Sequence, residues 1–285
     1  MIDSLRQGFF PLLLLELGDF LEVDSRKAPL VNPLLVSTME RDGVAAVTPG
    51  PPEFDHWEEF EALMAGSSIK VVSTNVTVKG GDSPGADSLG LRPAAARSLV
   101  LEVSGVRVGL LGVLGAGAYA KIRAPSKATL VFQDPLEAIA EELPALREQA
   151  ELIVVLACAG DEEAERIAEQ ARGVDVVLSG YESSASTFAY RAGEAIVNRS
   201  GSHGQNAGIL RMILSPEGEI LDWGGRNLSL PVAMPENSEV AAQVAALVER
   251  LAAQVPARRE VPPAGPAVPS REAESGGEPP YADPR

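Results

Sequence analysis

The chain has 285 residues, 45% hydrophobic and 22% charged, which supplies a substantial core and excludes a wholly disordered or fibrous protein. Its 40 acidic against 24 basic side chains give a formal charge of −16, which repels phosphate backbones and anionic lipid headgroups; neither a nucleic-acid partner nor a polybasic membrane role is expected. One cysteine, Cys158, excludes an intramolecular disulfide framework, and two histidines, His56 and His203, exclude a histidine-rich metal centre.

In chain order, the first apolar run, residues 9–15, is stopped by Glu16, far short of the roughly 20 residues that span a bilayer. No small-residue cleavage site follows it, so it reads as a buried strand, with no clear signal peptide and no membrane span. Continuous apolar runs at 12–17, 44–47, 69–73, 152–157 and 174–178 predict strands covered on both faces. Between them, Asp134-Pro135 opens one helix, with Pro at the first helical position, and Asp161 opens another. Two stretches predict hairpins instead, SLVLEVSGVRVGLLGVL turning at Ser104-Gly105 and ILRMILSPEGEILDWGG turning around Pro216-Glu217-Gly218. A last helix at 238–255 places Val240, Val244, Leu247, Val248 and Leu251 on one packing stripe. The remaining 256–285 are dense in Pro, Gly, Glu and Arg and bury too little to offset ordering entropy, so a disordered tail is expected after one folded domain at 1–255.

Four of the strands run straight into small polar loops: LLLLELGD, VAAVTPGPPEFD, LIVVLACAGD and VDVVLSGYES. Loops leaving the carboxyl ends of strands in an α/β sheet converge on one crevice. That crevice should hold Asp19, Glu53, Asp55, Cys158, Asp161, Tyr181 and Glu182.

These same segments resemble the N-terminal domain of UshA-type 5'-nucleotidases, in the calcineurin-like metallophosphoesterase superfamily. LLLLELGDF is similar to the family's LLLDAGDF, ERDGVAAVTPGPPEFD to LGYDAVTPGNHEFD, and IKVVSTNV to FPVLSANV. VSGVRVGLLGV is similar to VNGVKIGVIGL, GVDVVLSGYES to GVDVILGGHSH, and AIVNRSGSHGQNAGILRMIL to IVQAGSYGKYVGRLDL. The resemblance implies an α/β fold, a four-layer α/β/β/α sandwich, and a family chemistry in which two divalent metals between Asp, Asn and His activate a hydroxide that attacks phosphorus. It also implies a periplasmic or extracellular setting, and a family opening strand with Asp-x-His that this sequence lacks, as it would if its start lay too far downstream.

Asp19 matches the metal-bridging aspartate and is the one family ligand retained. Pro51-Pro52 stand where the family has Asn-His, Cys158 where it has a ligand His, and Tyr181 and Ser183 where it has the His pair. No confident metal ligand set and no cofactor are therefore expected. The favoured reading is a protein with a dismantled dimetal site that binds a small molecule or a thiol partner. The alternative is an active phosphohydrolase, or a thiol enzyme using Cys158.

Cys158 precedes a helix N-terminus, which favours a thiolate; packing as an inert buried residue is the other reading. Asp19 either acts as an acid or orders its loop through backbone N–H groups. Glu53 and Asp55 fit helix N-terminal support, Asn75 loop support, and His203 a loop beside the crevice. His56 fits the start of a helix at Trp57.

Overall fold

The computed structural model describes residues 2–8, 11–79, 90–182, 184–215, 217–230 and 237–254. The expected tail at 256–285 and Ser183 lie outside the described residues.

A six-stranded sheet forms the centre, in the order Tyr190–Ala192, Ala195–Arg199, Val176–Ser179, Leu152–Cys158, Val106–Leu114, Ser98–Val103. The middle four strands are parallel, as their continuous apolar runs require, and both flanking strands are antiparallel. Ser104 and Gly105 turn the hairpin at one edge with φ of 51° and 84°. Those two left-handed residues match the twist of a tight two-residue turn.

Helices Pro135–Arg147 and Asp161–Gln170 cover one face of this sheet, burying Ile139, Leu146, Ala164 and Ile167 against Val113, Val155 and Val177. The Asp134 carboxylate caps the first helix by accepting from the Leu136 amide at 2.9 Å. The opposite face meets a second β layer. One part is the parallel sheet of Leu14–Glu16, Val44–Val47 and Lys70–Val71; the other is the antiparallel hairpin of Asn206–Leu214 and Ile220–Ser229. Leu13, Leu15 and Leu17 from the first part, and Leu210, Met212 and Ile220 from the second, pack on Leu110, Val154 and Leu156 of the central sheet. Helices Ala28–Arg41 and Trp57–Ala65 close the far side through Val36, Met39, Phe60 and Met64 against Val47. The result is the expected α/β/β/α order. A further small sheet of Leu91–Pro93, Val76–Lys79 and Leu130–Phe132 sits beside these layers.

Two expectations shift. The apolar run around Leu14–Glu16 predicts a strand enclosed on both faces, yet that strand pairs on one side only, with Val44–Val47, and is half-buried throughout. The final helix, Ser238–Gln254, forms where its stripe predicts but buries none of its residues; Leu247 faces Leu30 and Leu34, while Val248 is 57% exposed. Among the described residues its main partner is the helix Ala28–Arg41 rather than a sheet, too narrow to cover the stripe. No described helix is long and apolar enough to cross a membrane.

Candidate functional site

The carboxyl ends of the parallel strands bring their loops to one place. Gly18 makes the first turn with φ of +84°, and a Cβ there would sit 2.5 Å from the Thr48 carbonyl oxygen and 2.7 Å from the Gly50 nitrogen. Only glycine fits this contact between the 18–21 loop and the 48–50 loop. Gly50 is equally confined: an added Cβ would meet the Asp19 nitrogen at 2.7 Å and the Cys158 Sγ at 3.1 Å.

Glu53 holds this junction together. It lies in the short helix Pro51–Asp55, is 0% exposed, and accepts four backbone hydrogen bonds. The amides of Gly50 and Asp19 reach its Oε2 at 2.7 and 3.0 Å, and those of Phe20 and Leu21 reach Oε1, both at 3.0 Å. One carboxylate therefore satisfies the helix N-terminus and the entire Asp19 loop. Sequence offers Asp19 as the residue ordering its own loop; the structure gives that work to Glu53 and leaves the Asp19 side chain exposed.

Asp19, Cys158, Tyr181 and His203 gather around this junction. The Asp19 carboxyl is raised above its ordinary value, first by burial and then by the charges of Glu53 and Glu182, with the His203 imidazole opposing. Cys158 ends the fully buried strand Leu152–Cys158 and is itself 0% exposed. Burial lifts its thiol well above the ordinary range, and Glu53, Asp19 and Glu16 add repulsion. The helix-terminus activation suggested by sequence is thus outweighed by desolvation and three carboxylates, and the neutral thiol is favoured. Tyr181 is buried, and its phenol is pushed up to about 12 by burial, then by Glu182, Asp19 and Cys158. Ahead of the junction, Glu16 is raised to about 7, mainly by burial, against the Leu17 amide that it accepts at 3.0 Å.

The outer lip differs in backbone as well as exposure. Asp19, Glu182 and His203 are exposed, with φ of 65°, 41° and 61°. Together with the Ser104 turn residue they make up the non-glycine residues with positive φ among the described residues. Strained backbone of this kind persists only where its surroundings impose it, and it concentrates at sites that bind or switch. Lys121 approaches Glu182 at 3.6 Å, and Ser202 Oγ lies 2.9 Å from His203 Nδ1.

The other expected residues do different work. Asn75 is buried and locks strand ends together, donating from Nδ2 to the Leu114 and Gln133 carbonyls at 2.8 and 3.0 Å and accepting the Leu114 amide at 2.9 Å. Asp55 accepts the Arg123 amide at 2.9 Å and pairs with its guanidinium at 3.2 Å. His56 occupies the N-cap position of the helix starting at Trp57 without a side-chain capping bond, and lies against Arg123 and Glu59. Asp161 pairs with Arg199 at 3.0 Å. Glu16 is the participant that sequence reasoning passes over, although a lone carboxylate inside an apolar run marks it. Among the described residues, no three His, Cys, Asp or Glu side chains are grouped so as to hold a metal ion.

No family model matches the chain. A 5'-nucleotidase from Diplobatis ommata is 29% identical over 159 residues, covering 53% of this chain and 25% of that protein. A 5'-nucleotidase precursor from Thermus thermophilus superposes with a TM-score of 0.71 and 22% identity, over 88% of this chain and 52% of the other. The calcineurin-like phosphoesterase YfkN from Bacillus subtilis gives 0.69 and 17%, over 88% of this chain and 86% of its own. The fold is that of the calcineurin-like metallophosphoesterases. Sulfate thiohydrolase SoxB from Thermus thermophilus shares this metallophosphoesterase fold, with a TM-score of 0.74, 19% identity, and coverage of 87% and 45%. The chain spans about a quarter of the curated 5'-nucleotidase and about half of the two Thermus chains.

Proposed function

We propose that this metallophosphoesterase-fold chain is a binding protein that performs no dimetal hydrolysis and engages a small polar ligand at the lip formed by Asp19, Glu182 and His203. The observation that carries this reading is the chemistry of the strand ends. Pro51 and Pro52 offer no side-chain donor, while Cys158 and Tyr181 are buried and held protonated. Divalent ions need deprotonated donors at several fixed positions, and this arrangement opposes that requirement. Asp19 and Glu182 place negative charge at the opening, which suits a ligand bearing N–H or O–H donors better than a phosphate ester. The sealed, neutral Cys158 weighs against the thiol-enzyme alternative.

The test is hydrolysis of AMP and p-nitrophenyl phosphate by the purified chain with added Mn²⁺. No metal-dependent turnover is expected. Turnover that requires Mn²⁺ and disappears in Asp19→Asn would overturn the proposal.

A further inference from the structure

The hairpin of Asn206–Leu214 and Ile220–Ser229 has a second face, turned away from the core. There Ile209 lies opposite Arg226, Arg211 opposite Gly224 and Ile213 opposite Asp222, and Phe188 bridges to Arg226 at the side. These residues line a groove of about 490 Å³. Phe188 is 66% exposed and Ile213 44%, so the groove floor is apolar and open. Arg211 and Arg226 stand over it with no ion pair among the described residues, whereas Arg97, Arg107 and Arg147 each pair with a carboxylate. Two guanidiniums against the one lining carboxylate, Asp222, leave the groove net positive beside an exposed aromatic ring, in a chain of net charge −16.

We propose that this groove docks the chain's own C-terminal segment, residues 272–283. That segment carries Glu272, Glu274, Glu278 and Asp283 around a single aromatic residue, Tyr281, so its charge and its apolar anchor complement the two arginines and Phe188. Pro279 and Pro280 lack N–H groups and favour extended backbone, which lowers the ordering cost and makes side chains, rather than added strand hydrogen bonds, the basis of recognition. Arg211 and Arg226 occupy diagonal cross-strand positions, about 7–8 Å apart at Cα. Glu272 and Glu274, two residues apart, are separated by roughly 6 Å in an extended chain. The stretch from Gln254 at the end of the last helix to Glu272 has a coil span of roughly 24 Å. Fully extended it covers roughly 60 Å, against a radius of gyration of about 18 Å for a folded unit of this size, so chain length permits the segment to reach the groove. Docking buries the exposed Phe188 and neutralises both arginines.

The experiment places the photo-crosslinking residue p-benzoylphenylalanine at position 188 of the full chain, irradiates it, and maps the product by proteolysis and mass spectrometry. The expected product is monomeric and joins position 188 to a peptide within 271–285. Its yield should fall several-fold in 0.5 M NaCl and in Arg211→Glu/Arg226→Glu, and recover when Glu272, Glu274, Glu278 and Asp283 are changed to Lys in that variant. A covalent dimer would make a second copy the occupant and overturn the proposal. So would a crosslink to another segment, no crosslink, or a yield indifferent to both charge reversals.

Discussion

The inner wall of the crevice and its outer lip are made of the same residue types and behave oppositely. Inside, Glu53 and Cys158 are 0% exposed, and the carboxylate of Glu53 is saturated by four backbone amides. Outside, Asp19 and Glu182 are exposed, sit on left-handed backbone, and leave their carboxylates free of backbone donors in the hydrogen bonds described. The difference teaches that position along the loop decides the role of an acid here. An acid on the helix side of the junction holds the architecture, and one at the tip of a strand-end loop faces whatever enters.

The largest expected break in that contrast is Glu53→Gln. The amide presents an NH₂ where two backbone N–H groups need an acceptor, so a loss of about 3 kcal/mol is expected in urea denaturation. A loss below about 1 kcal/mol would place Glu53 with the lip residues.

Glu16→Gln sharpens the same contrast through pH. In the folded state Glu16 binds its proton more tightly than in the unfolded chain, up to about 7 against an ordinary 4.5. Native protein then holds more protons than unfolded protein between these values, so stability is fully present below about pH 4.5 and falls as pH rises towards 7. The drop approaches roughly 2–3 kcal/mol by pH 7.5. Denaturation midpoints of Glu16→Gln at pH 5 and pH 7.5 should differ much less than those of the wild type; an equal pH dependence in both would count against burial of this carboxyl.

The smallest effect is expected at the lip. Asp19→Asn removes a carboxylate whose charge is opposed by Glu53 and Glu182 and whose side chain holds no backbone, so stability should change by no more than about 0.5 kcal/mol. A thermal-melt shift of many degrees would show that Asp19 is structural after all.

Much of the architecture is legible in the sequence, because continuous apolar runs specify the parallel strands and Asp134-Pro135 and Ser104-Gly105 specify their boundaries. The convergence of Asp19, Glu53, Cys158 and Tyr181 follows from strand order and strand ends. Individual roles do not follow, since they depend on which loop's amides point at which side chain. Glu53 and Asp19 are both acids beside a turn, and only the fold reveals that the first grips the second's backbone. The two readings of Cys158 are separated for the same reason: a helix N-terminus is visible in sequence, while enclosure and three neighbouring carboxylates from distant segments are not, and they favour the inert buried thiol. The half-covered final helix likewise depends on the width of its partner, which its own periodicity cannot reveal.

The strand Leu14–Glu16 ends its sheet with one side unpaired among the described residues. An apolar strand edge is a template on which another chain can assemble, and proteins commonly guard such edges with a charge. Glu16 is the charge available to this edge, and it is present only above about pH 7. Acidification that favours the fold therefore removes the guard, so mildly acidic solutions should gain conformational stability while losing protection against self-association, and storage conditions chosen by melting temperature alone will select the more aggregation-prone form.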